Sequence, residues 1–103
     1  MRIVFKTEGG FATFPGLNRP MTIDSTELAE QDAAELARLV EGAHFFAQSA
    51  VANAPPVGAA DYRQYTITVE DGPRQHTVRL TDPIPAPELQ ALVQFLQRQV
   101  RGR

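Results

Sequence analysis

Chemistry in this 103-residue chain could rest on two histidines, a scatter of carboxylates and a few hydroxyls. His44 and His76 stand 32 positions apart, far outside the HExxH spacing that brings two imidazoles onto one zinc ion. His76 alternates with Val78 and Leu80, so it reads as a histidine satisfied at the edge of a core. His44 follows a helical stripe, where an imidazolium suits the negative end of the helix dipole. There is no cysteine, hence no thiol nucleophile, disulfide or thiolate zinc site. Ser25 and Ser49 have no base at a spacing that implies activation. The GxSxG elbow, the P-loop and the GxGxxG turn are absent. Glu30, Asp32, Glu35 and Glu41 read as the solvated face of a helix, and Asp71 precedes Gly72 as a turn residue does. The expectation is a protein with no catalytic residues, no metal and no cofactor, and therefore no enzyme.

A different stretch carries a different chemistry. Lys6-Thr7-Glu8-Gly9-Gly10-Phe11-Ala12-Thr13-Phe14-Pro15-Gly16 sets two phenylalanines beside paired glycines. Glycines open backbone paths closed to other residues. One reading tucks the rings under a sheet edge. The other presents Phe11 as an apolar anchor for a partner's pocket. Composition alone does not choose between them.

The elements that would hold this stretch follow from pattern. The length implies one domain, residues 1–103, able to bury roughly two thirds of its unfolded surface. Net charge is −2 and hydrophobic residues make up 43%, without the clustered bases a nucleic-acid footprint needs. No apolar run approaches the ~20 residues of a membrane helix, and Met1 to Lys6 are too short for a signal core. The expected protein is unanchored and cytoplasmic, with non-classical export as the other route, and monomeric when free. Residues 1–6 read as a strand broken at Gly9-Gly10, and Met21-Thr22-Ile23 as part of a second. Leu36, Leu39, Val40 and Ala43 form one helical stripe, with Gly42 as its stop. His44-Phe45-Phe46 should fold back onto the core, and residues 47–61 read as a loop. Tyr65, Ile67 and Val69, then His76, Val78 and Leu80, alternate around Asp71-Gly72 as a hairpin. Pro73 suggests a connection of about three to five residues. Pro87 opens a last helix with Leu89, Leu92, Val93, Leu96 and Val100 on one stripe. The predicted fold is α+β: a four-stranded antiparallel sheet with two helices on one face, in the order ββαββα.

Taken together, "EGGFA" after a first strand, the acidic helix "AAELARLVEGAHFF", the hairpin "YTITVEDGPRQHTVRLTD" and a terminal amphipathic helix resemble the emfourin family. The resemblance spans nearly the whole chain. Two segments depart from a regular pattern: the Pro-rich Phe14 to Pro20 and the Ala- and Pro-rich Ala47 to Asp61. The resemblance implies a proteinaceous inhibitor of thermolysin-type (protealysin-type) zinc metalloproteases, whose protein partner is the protease. The large apolar residue on a Gly-Gly turn then suggests contact through Glu8, Gly9, Gly10, Phe11, Ala12 and Thr13, with Phe11 in the apolar pocket beside the zinc. The runner-up is a non-enzymatic interaction module that binds another protein, for instance through an open strand edge.

Overall fold

The computed structural model describes residues 1–9, 20–51, 63–81 and 84–101. Its strands are β1 (Arg2–Gly9), β2 (Met21–Asp24), β3 (Arg63–Asp71) and β4 (Arg74–Thr81). Its helices are α1 (Glu30–Gly42) and α2 (Pro87–Arg101). The four strands form one antiparallel sheet in the order β2-β1-β3-β4. The ββαββα order and fold class are those expected from the sequence.

Alternation decides which face each strand buries. Ile3 and Phe5 of β1, Ile23 of β2, Tyr65, Ile67 and Val69 of β3, and Val78 and Leu80 of β4 all point to one face and are buried. Leu36 and Val40 of α1, and Leu89, Leu92, Val93, Phe95 and Leu96 of α2, join them in a single cluster. Both helices therefore cover the same face. Phe95 belongs to the buried stripe through its spacing of three from Leu92, and it widens the face read from the leucines alone. Val100 is only partly buried against the core.

Each helix terminus has its own chemistry. Glu30 and Asp32 lie in the first turn of α1 and Glu88 in that of α2, while Arg98 and Arg101 lie in the last turn of α2. All complement the dipole. Arg98 also reaches Glu35 of α1 at 3.6 Å. α1 ends at Gly42, the stop expected from the sequence, but by a different backbone device. Gly42 remains helical, and the left-handed residue is His44, at φ 49° and ψ 46°. The Ala43 N–H donates to Leu39 O at 3.0 Å and the His44 N–H to Glu41 O at 3.1 Å, which closes the helix before Phe45 turns inward. Phe45 is buried, as the fold-back reading required.

The β3–β4 connection is tighter than expected. Asp71 pairs with Arg74, so only Gly72 and Pro73 lie between the strands. Gly72 takes φ +61°. A positive φ followed by the fixed negative φ of proline is the sign pattern of a II′ hairpin turn. Pro73 thus fits the second turn position instead of lengthening the loop.

Two stability outcomes follow. Ile67→Ala, in the central strand beneath both helices, should cost about 2–5 kcal/mol in denaturant unfolding. Gly72→Ala should destabilise and His44→Gly should stabilise, since a left-handed L-residue costs roughly 1–2 kcal/mol. Thermal melts of the two variants should shift in opposite directions.

Candidate functional site

The residues singled out for partner contact begin inside the sheet. β1 runs on through Glu8 and Gly9, past the break expected at Gly9, so both are strand residues. Glu8 lies opposite Gln64 and Gly9 opposite Arg63. Gly10, Phe11, Ala12 and Thr13 lie outside the described residues, as does Phe14.

Pairing fixes where this end of β1 sits. Among the described residues β2 pairs with β1 from Arg2↔Asp24 to Phe5↔Met21. β3 pairs with β1 along its whole length, so Lys6 to Gly9 stay in register with Thr66 to Arg63.

This end of β1 rests on a firm base. The rings of Phe5 and Tyr65 stack with centroids 6.0 Å apart and planes 9° from parallel. Gln97 of α2 donates from Nε2 to the Tyr65 hydroxyl at 3.4 Å, which ties the helix to this part of the sheet. On the other face Lys6 Nζ meets Glu8 Oε1 at 3.0 Å, with both side chains well exposed. An exposed pair of this kind contributes little to stability, but it engages the Glu8 carboxylate.

Arg63 is exposed directly across from Gly9. The sequence reading began this hairpin at Tyr65 and so missed it. Extending the alternation one step back, from Tyr65 to Arg63, would have found it.

The same end of the sheet gathers other parts of the chain. Val51 forms a parallel bridge with Arg79, two residues short of the end of β4 at Thr81. Gly9, Val51 and Thr81 thus lie at one end of the molecule.

The perturbed charges lie at the opposite end. Asp24 accepts from the Thr26 N–H at 3.0 Å and from its hydroxyl at 2.7 Å, and these bonds hold its carboxyl below the usual carboxylate range. Arg74 meets Asp71 at 2.8 Å and Glu41 at 3.4 Å, and lies 4.3 Å above the Phe46 ring. Its hydrogen bond to Asp71 raises an already high pKa. These contacts fasten the β3–β4 turn to the end of α1.

The histidines are engaged or apart. His76 Nε2 lies 2.6 Å from Gln48 O, and its ring meets Phe45 edge-on at 5.8 Å. A carbonyl only accepts, so Nε2 carries the proton. His44 is exposed on its own turn. Among the described residues no group of three His, Cys, Asp or Glu side chains could hold a metal. A shallow hollow at the start of α1, lined by Ala29, Glu30, Gln31 and Ala34, brings no nucleophile and base together.

Comparison with known proteins adds the family. Neither the curated proteins nor the solved structures gave a match. A family model described as Emfourin matches residues 5–97. That match runs from the middle of β1 to the later turns of α2, and the chain belongs to the emfourin family.

Proposed function

We propose that this protein inhibits thermolysin-type zinc metalloproteases, and that the segment Gly9–Thr13 is the element that enters the protease cleft. Membership in an inhibitor family supports the coarse reading, metalloprotease inhibition without catalysis by this chain. That membership is the observation that carries the proposal. The finer reading rests on the residues. Gly9-Gly10-Phe11 sets a large apolar residue beside two glycines, immediately after a strand whose ladder to β3 runs through Gly9.

The target chemistry sets what such a segment must do. A thermolysin-type site holds zinc through two histidines and a glutamate and leaves a position open for water. Its specificity pocket takes the bulky apolar residue just after the cut bond. Phe11 has the right character for that pocket. An inhibitor must also resist being cut. A segment rooted in a strand laddered to β3 along its whole length loses less entropy on binding and can hold its peptide bond away from the attacking water. Glu8 is the less suited candidate for approaching the zinc, because its carboxylate already pairs with Lys6.

Burying a phenylalanine contributes roughly 1.5–3 kcal/mol, so Phe11→Ala should weaken inhibition of thermolysin at least about tenfold. A titration of enzyme activity with purified wild-type and variant protein measures this, with circular dichroism to confirm folding. Equal inhibition by a folded Phe11→Ala protein rejects the anchor role. No inhibition by the wild-type chain rejects the thermolysin-type target, and the interaction-module reading then stands.

A further inference from the structure

β4 is a sheet edge, and its own chain occupies part of it. The Arg79 N–H donates to Ala50 O at 2.8 Å, and Val51 bridges to Arg79 in the parallel sense. Three residues earlier on β4, His76 donates from Nε2 to Gln48 O at 2.6 Å. Gln48 is fastened a second time, since its side-chain Nε2 donates to Ala43 O at the end of α1, 2.9 Å away. Residues 48–51 are therefore a strap hung on β4 by a backbone bond and a histidine, and moored to α1 by a glutamine. The strap has little packing of its own: Ser49, Ala50 and Val51 are all exposed.

The edge beneath it is suited to pairing with itself. Arg79 points its N–H outward to the strap, so the period of two gives Gln75 and Thr77 the same outward edge. An antiparallel pair of β4 strands centred on Thr77 would set threonine against threonine, Gln75 against Arg79, and His76 against Val78. No like charges would face one another, and threonine pairs of this kind are favourable. β2, the other edge strand, is only four residues long. An eight-residue edge without a guard is a template for association.

We propose that residues 48–51 are an edge guard, held closed by His76 and Gln48, that keeps β4 from pairing with β4 of a second copy of this chain. This inference uses no residue of the Gly9–Thr13 segment, and its test does not depend on the inhibitor reading.

The test combines amide hydrogen exchange with light scattering on the full chain. In His76→Ala the Arg79 amide should exchange about fivefold faster, the factor expected for one lost hydrogen bond. Amides of Ile67 and Val69 should be unchanged. The variant should form a concentration-dependent dimer while the wild type stays monomeric. Gln48→Ala, which leaves the Phe45–His76 contact in place, should act in the same direction and serves if His76→Ala does not fold. Adding Thr77→Pro should abolish the dimer, because proline removes an outward N–H that the β3 ladder does not use. The proposal fails if a folded variant leaves Arg79 protection and mass unchanged. It also fails if the dimer survives Thr77→Pro, or if the wild type is already a β4-paired dimer.

Discussion

The antiparallel pairing of β1 with β3 is the constraint on which the rest of the molecule depends. Arg2 pairs with Glu70 and Gly9 with Arg63, eight residue pairs joined across more than fifty intervening positions. It is the joint between the two hairpins: in the strand order β2-β1-β3-β4, β2 pairs with β1 and β4 pairs with β3. Closing so long a loop costs entropy before any contact repays it, though the cost grows only slowly with length. Repayment comes from the inward row Ile3, Phe5, Ile67 and Val69, over which both helices close. Two hairpin-and-helix halves thus become one domain only when the central pair forms.

The same ladder places the far end of β1. From Lys6 to Gly9, β1 has β3 beside it in unbroken register. Rigidity comes from the β3 ladder and from the Phe5–Tyr65 stack, moored to α2 through Gln97. The tip of β1 is consequently placed by the core itself, at the end of the sheet away from the turn that Arg74 fastens to α1.

Much of this was legible in the residues, for reasons that can be named. Alternation in Tyr65, Ile67 and Val69 and the 3.6-residue stripes of both helices report burial directly, so strands, helices and faces were readable. What depends on pairing partners was not. The extension of β1 through Glu8 and Gly9 follows from a ladder to Arg63 and Gln64, residues 54 and 56 positions away, and a local glycine pair reads as a break. The Gly72-Pro73 turn was misread because proline was weighed as an obstacle, when its fixed φ fits the second turn position. The helix ends at Gly42 as read, but the left-handed residue after it is His44, a position no local glycine marks. The strap along β4 has no sequence signature at all. It rests on single hydrogen bonds from Arg79 and His76.

Magnitudes decide how much of an inhibitory contact one side chain could carry. A nanomolar complex needs about 12 kcal/mol, and one buried phenylalanine supplies at most roughly 3 of them. The remainder has to come from surface that docks at the same time. A standard interface takes about 800 Å² from each partner, against 6448 Å² of accessible surface on this chain. Such a patch is an eighth of the molecule, far more than a few loop residues present. Gly9, Val51 and Thr81 lie at one end of the sheet, beside the exposed Arg63. On the proposed reading, a cleft that received the end of β1 would also meet that surface. An apolar anchor would then set the register of the complex, and the end of the sheet would have to supply most of its strength.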